Sequence, residues 1–134
     1  DTISEVKADD MKAIPTTHKI IAEGKSILIE GYIINGDKYF QVRDIAVAFS
    51  NTAQSFDVQY DKKSKSVVLK KNTKYSGNNA KLSKISQTAP KIVSSNQKII
   101  VNGKEDQKLK VYLINSANYV SLAQLSTLMN LNIK

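Results

Sequence analysis

His18 is the only imidazole in the chain, and there is no cysteine. A transition-metal site built from nitrogen and sulfur ligands needs several such groups, so His18 alone makes a poor ligand set. Serines and threonines are plentiful, but the pattern offers neither a histidine base beside them nor a nucleophile elbow, so no hydrolytic triad forms. No glycine-rich phosphate loop is present. Asp57 and Asp61 stand four apart in an alternating stretch and therefore share a face. A carboxylate pair suits calcium or acid–base work, but calcium asks for about 6–8 oxygen ligands. The polar run Asp61-Lys62-Lys63-Ser64-Lys65 fits a turn better. Arg43-Asp44, which contains the single arginine of the chain, is a possible ligand anchor. Its expected role is structural: Arg43 lays its stem on Tyr39 or Phe40 and pairs with a carboxylate, and Asp44 complements a helix dipole. The chemistry-bearing residues thus predict no catalytic residue, no metal, no cofactor and no enzyme.

The charge is a different matter. The net charge of +8 rests almost wholly on lysine. The bias is sharpest between Lys62 and Lys110, with Lys62, Lys63, Lys65, Lys70, Lys71 and Lys74 at its front as polyanion-binding candidates. A positive face attracts polyanions over a Debye length of about 8–10 Å at ordinary salt. Specific readers of nucleic acid lean on arginine for bidentate contacts, so no specific nucleic-acid partner is expected. Against any partner stands the simpler reading that lysine, abundant alongside Asn and Ile, reflects A/T-rich codons and a solvated surface.

The elements that must carry these residues centre on Tyr39–Phe49. Val42, Ile45, Ala46 and Phe49 follow the helical period and form one apolar stripe, entered directly from the strand Tyr39-Phe40. Asn35-Gly36 is a tight-turn signal ahead of it. The arrangement returns as Asn115, Tyr119, and a second stripe of Leu122, Leu125 and Met129, and both Asn35/Asn115 and Tyr39/Tyr119 lie 80 positions apart. Earlier still, Lys98-Ile99-Ile100-Val101-Asn102-Gly103-Lys104 parallels Lys19-Ile20-Ile21-Ala22-Glu23-Gly24-Lys25. Ser121 and Gln124 predict a capping box at the second helix. Strands are expected from Lys19, Ser26 and Tyr32, then at Phe56–Asp61 and Ser66–Leu69 as a hairpin. The predicted class is α+β, a tandem repeat of antiparallel sheet packed on a short helix. Its unit reads ββββαββ, and the second copy lacks the last hairpin, leaving a sheet edge open. The expected division is a leader or linker at 1–17 with a short helix over Glu5–Ala13, a first repeat at 18–71, a partly structured connector at 72–96 and an incomplete second repeat at 97–134. In the connector, Leu82, Ile85 and Ile92-Val93 are candidates for one or two edge strands, and Pro90 argues against a central one. A hydrophobic content of 41% excludes a wholly disordered chain. No apolar run approaches the ~20 residues that span a bilayer. The acidic start Asp1-Thr2-Ile3-Ser4-Glu5 shows no signal-peptide pattern, an absence that a processed chain shares.

Two runs, Lys19–Lys25 and Asn35-Gly36-Asp37-Lys38-Tyr39-Phe40-Gln41-Val42-Arg43-Asp44-Ile45-Ala46, resemble the copper amine oxidase N-terminal-like domain, also called the stalk domain. Phe56-Asp57-Val58-Gln59-Tyr60-Asp61 is similar to the aromatic-Asp hairpin of that family. The likeness covers about 18–70 and, less fully, 97–134, where Ala123 and Gln124 stand in place of Arg43 and Asp44. The resemblance implies a sheet around one helix, with Tyr39, Phe40, Arg43, Asp44, Phe49, Tyr119, Leu122 and Leu125 as its structural motif. It also implies a non-catalytic binding or spacer module in secreted or surface proteins of low-GC bacteria. There the available polyanions are anionic cell-wall polymers, and another surface protein added along the open sheet edge is the alternative partner. It does not bring amine oxidation, which needs three histidine copper ligands and a modified tyrosine in a Thr-x-x-Asn-Tyr-Asp/Glu context. Here Asn118-Tyr119 is followed by Val120, and Asn115 stands where the threonine belongs. The chain should therefore hold copper no better than any lone histidine does; stoichiometric copper surviving dialysis against a weak chelator would contradict this.

Overall fold

The computed structural model describes residues 12–77, 82–85, 90–94, 97–106 and 109–131. In chain order the elements are β1 (Ile14–Ala22), β2 (Lys25–Ile34), β3 (Asp37–Gln41), α1 (Val42–Ala48), β4 (Phe56–Asp61) and β5 (Ser66–Lys71). They continue with β6 (Ile92–Ser94), β7 (Lys98–Val101), β8 (Lys104–Asp106), β9 (Val111–Ile114), β10 (Ala117–Ser121) and α2 (Leu122–Met129). The result is mostly antiparallel sheet with two helices, an α+β arrangement.

Local sequence sets four of the connections. Glu23-Gly24, Asn35-Gly36, Asn102-Gly103 and Asn115-Ser116 each have two successive residues with φ between 49° and 85°. Two left-handed residues in a two-residue loop give the type I′ turn, whose twist suits the flanking strands. The turns join β1 to β2, β2 to β3, β7 to β8 and β9 to β10, all antiparallel.

The strands form two sheets, one of six in the order β1-β2-β3-β10-β9-β6 and one of four in the order β4-β5-β7-β8. Both draw on the two halves of the chain. In the first, β3 pairs antiparallel with β10, Phe40 facing Val120, Tyr39 facing Ser121 and Gln41 facing Tyr119. In the second, β5 pairs with β7, Val67 opposite Ile99 and Leu69 opposite Val101, in the parallel sense.

Three details differ from the sequence expectation. The strands expected from Ser26 and from Tyr32 are one continuous β2, so three strands rather than four precede α1. Gly31 is not a break there. A Cβ at Gly31 would collide with the Tyr39 carbonyl oxygen and the Phe40 ring, so glycine permits close approach of β3. Secondly, β1 begins at Ile14 rather than Lys19. Pro15 sits within it opposite Tyr32, tolerated because β1 is an edge. Of the helix expected over Glu5–Ala13, residues 5–11 lie outside the described set, and Lys12 and Ala13 are not helical. Thirdly, the capping box is half formed. Ser121 Oγ accepts from the Gln124 N–H at 3.2 Å, but the Gln124 side chain accepts from the Lys110 N–H instead of reaching back. In the connector, Ile92–Ser94 pairs with β9 as an edge strand and Leu82 and Ile85 lie in no strand, while residues 78–81, 86–89 and 95–96 lie outside the described set, as do 132–134.

Side chains alternate across the six-stranded sheet, and each face has its own core. The larger cluster includes Ile29, Phe40 and Val120 on one face, Val42, Ile45, Ala46 and Phe49 of the first helix region, and Leu122, Leu125 and Met129 of α2. Phe56, Leu69, Ile99 and Val101 close it from the four-stranded sheet. The smaller cluster on the other face holds Tyr32, Ile34, Tyr39, Tyr112, Ile114 and Tyr119. Tyr32 packs on Tyr119 with ring centroids 5.5 Å apart, and Tyr39 packs on Tyr112 at 5.3 Å. Helices of two turns are marginal in water, so their burial against the sheets sustains them. No helix among the described residues is long and apolar enough to cross a membrane. Phe49 is fully buried, so Phe49→Ala should lose about 3–5 kcal/mol, seen as a lower urea midpoint. An unchanged midpoint would contradict its place in the core.

Candidate functional site

His18 lies in β1 opposite Ile29. Its ring centroid is 6.2 Å from that of Phe40, and its Nδ1 is 3.5 Å from Lys38 Nζ. Among the described residues no three His, Asp or Glu side chains gather as a cation would require.

The two aspartates of β4 do separate jobs. Asp57 is buried, and its Oδ1 accepts from the Ser76 backbone N–H at 2.9 Å and the Ser76 hydroxyl at 2.8 Å. Burial alone would push its carboxyl up, but the Ser76 donors, with help from Val58 and Gln59, hold it below the ordinary value. Asp61 accepts from the Ser64 hydroxyl at 2.9 Å and the Lys63 N–H at 3.0 Å, which shapes the β4–β5 turn and lowers its pKa. The strict alternation read in Phe56–Asp61 therefore fails at both ends: Asp57 is covered, and Tyr60 is 48% exposed.

Arg43 and Asp44 also depart from expectation. Arg43 is exposed, and among the described residues no carboxylate lies within ion-pair distance of it. Asp44 is wholly buried. Its Oδ1 accepts from the backbone N–H and the hydroxyl of Ser83, at 3.0 and 3.1 Å, while Oδ2 has no hydrogen-bond partner. Burial raises the Asp44 pKa; the Ser83 donors and the Arg43 charge oppose the rise without cancelling it, and Glu30 adds to it. Asp44 is thus a tether for the connector more than a complement to the helix dipole.

The motif aromatics lie in both cores, Phe40 and Phe49 in the larger, Tyr39 and Tyr119 in the smaller. Burial, the facing Tyr112 and nearby Asp37 push Tyr39 up to about 12. Burial also raises Tyr119, against the Gln41 amide that donates to its hydroxyl at 3.3 Å. Neither phenol is placed to exchange a proton near neutrality.

The six candidate lysines do not make one patch. Lys62, Lys63 and Lys65 surround the tip of the β4–β5 hairpin, and Lys70, Lys71 and Lys74 lie at its other end. Five residue steps along the strand separate Lys65 from Lys70, about 17 Å at ~3.3 Å each. Among the described residues no carboxylate lies within ion-pair distance of any of the six ammonium groups. Asp57, directly across from Lys70, gives its oxygens to Ser76 and Gln59 instead.

A cleft of about 240 Å³ opens between the start of α1, the β4–β5 hairpin, Tyr75 and the β9–β10 turn. Its polar lining includes Gln41, Arg43, Gln59, Tyr60, Tyr75 and Asn118. The Asn118 Oδ1 is buried without a hydrogen-bond partner. Apart from Arg43, these residues carry no signal in the sequence. Tyr60 alternates with Val58 and stands opposite the buried Val67, so its pattern is that of a core residue. Only the three-dimensional arrangement shows Tyr60, on the edge strand β4, half-exposed at the cleft while Val67 across from it is buried.

The chain matches no protein-family model, no curated protein and no solved structure. What the coordinates define is an α+β module of two mostly antiparallel sheets.

The raised pKa of Asp44 fixes the sign of a pH effect. Its contribution to stability is fully present below the ordinary aspartate value of about 3.9 and is lost as pH rises through the higher folded value. Relative to wild type, Asp44→Asn should therefore gain stability from acid toward neutral pH, read as the difference in urea midpoints. A difference that stays constant across that span would show Asp44 titrating as an ordinary carboxyl.

Proposed function

We propose that the chain is a non-catalytic module of secreted or cell-surface bacterial proteins, a binding or spacer domain that contacts anionic cell-wall polymer. On this reading it is a stalk-type domain resembling the copper amine oxidase N-terminal-like family, with one full and one partial copy of a strand-and-helix unit. The offset of 80 between β3–α1 and β10–α2 supports the two copies. So do the four turns, at offsets of 79 and 80.

The observation that carries the polymer reading is the pair of lysine clusters at opposite ends of the β4–β5 hairpin, without carboxylate partners among the described residues. Their spacing exceeds a Debye length of about 8–10 Å, so each acts as its own weak contact. An extended polyanion touches both, whereas a compact anion touches one. Single exposed lysine–anion contacts are weak and screened, and several together hold.

A second reading, a protein-interaction module, rests on β1. This edge strand of nine residues carries the exposed Ile21 beside Leu28 of β2. Strand addition there draws on backbone hydrogen bonds and apolar contacts rather than charge.

Salt separates the two. Wall teichoic acid should bind weakly, with affinity falling steeply as salt rises, and duplex DNA of equal charge density should bind comparably. Replacing Lys62, Lys63 and Lys65 together by Gln should weaken both. Binding that persists unchanged at about 1 M salt, where the Debye length is about 3 Å, would overturn the electrostatic reading.

A further inference from the structure

The cleft beside Arg43 sets a charge next to an apolar face. Arg43 is a planar, permanently charged fork with no carboxylate partner among the described residues, the geometry that grips a carboxylate or phosphate in a bidentate manner. The neighbouring Asp44 directs an oxygen to Ser83 and is buried, so it does not close over the guanidinium. Asn118 also lines the cleft, with its Oδ1 turned out of reach of solvent. Tyr60 keeps nearly half its surface exposed in a lining that also contains Tyr75. It offers a flat apolar face with a polar rim.

We propose that this cleft binds a single anionic sugar residue. The anion lies on Arg43, and the C–H face of the ring rests on Tyr60. The volume sets the size. At about 240 Å³ the cleft lies below the ~300–1,000 Å³ of drug-sized pockets and holds the equivalent of about eight waters. That suits one ring and its substituents, not a duplex or a folded partner. The inference rests on the polymer-binding reading and deepens it. The lysine clusters supply diffuse attraction to any charged chain, DNA included, and the cleft adds a preference for chains that carry an anionic sugar.

The test is an NMR titration of the isotope-labelled chain with glucuronic acid, glucose 1-phosphate and glucose. Both anionic sugars should shift the amides of Gln41–Arg43, Val58–Tyr60 and Ser116–Asn118 along saturating curves. Glucose should bind about tenfold more weakly or worse, the equivalent of about 1.4 kcal/mol. The better of the two anions identifies whether a carboxylate or a phosphate is the natural group. Arg43→Gln should erase the preference for the anions, and Tyr60→Ala should abolish saturation. Both side chains are exposed, so both variants should keep the wild-type melting temperature. The proposal fails if no sugar gives saturable shifts at these amides, or if glucose binds as well as the anions. It also fails if inorganic phosphate alone reproduces the shifts at equal affinity. The variant lacking Lys62, Lys63 and Lys65 should bind the small sugars as wild type does. Sugar binding without any polymer binding would overturn the proposed function and leave the cleft standing.

Discussion

The pairing of β3 with β10 is the contact on which the rest of the molecule depends. Without it the six-stranded sheet is two smaller sheets, each with an apolar edge. The pairing is self-complementary in position: Phe40 meets Val120, 80 residues on, with Tyr39 opposite Ser121 and Gln41 opposite Tyr119. The ring contacts follow the same rule, since Tyr32–Tyr119 and Tyr39–Tyr112 are one contact made twice. Each strand runs directly into a helix, so fixing the strand register also fixes where α1 and α2 enter the larger core. Ser121 reinforces the seam by donating to Asp37 at 2.7 Å while capping α2.

Carboxylates perform a second organising task. The stretch between β5 and β6 has little backbone pairing of its own in its described parts, yet three of its N–H groups are held by carboxylates. Asp57 takes the N–H of Ser76, Asp44 that of Ser83 and Glu30 that of Ile85. Three acidic side chains from β4, α1 and β2 thereby replace a strand partner, and Lys84 adds an exposed ion pair to Glu30 at 3.8 Å. This fastening brings Tyr75 to the cleft and Ile85 to the tyrosine cluster. A buried carboxylate with one oxygen unpartnered, as in Asp44, is expensive to keep ionised, which raises its pKa, whereas the donors around Asp57 lower it.

What the sequence made legible was local. Asn35-Gly36 marks a turn because only certain residues accept positive φ, and the stripe Val42–Phe49 marks a helix because the period is helical. Both follow from a few neighbouring residues. Gly31 reads like a break between two strands, and its real constraint, the Phe40 ring against its Cα, is visible only once β2 and β3 are paired. Arg43-Asp44 stood out as a charged pair, but its burial asymmetry depends on Ser83, 39 residues downstream. The cleft was illegible for the same reason: Gln41, Tyr60, Tyr75 and Asn118 come from four separate parts of the chain, and none is unusual in its own neighbourhood. The lysines were legible as a bias but not as a shape, because strand β5 separates them into two groups.

The self-complementary seam also bears on the chain as it is synthesised. Residues 37–41 leave the ribosome well before residues 117–121, and closing so long a loop is slow compared with forming a hairpin. During that interval β3 is an uncovered edge. A second nascent chain carries the same uncovered edge, so neighbouring ribosomes on one message bring two such edges close together. The feature that makes the finished sheet continuous is thus a standing invitation to pair between molecules, and the speed with which the second half arrives decides which pairing wins.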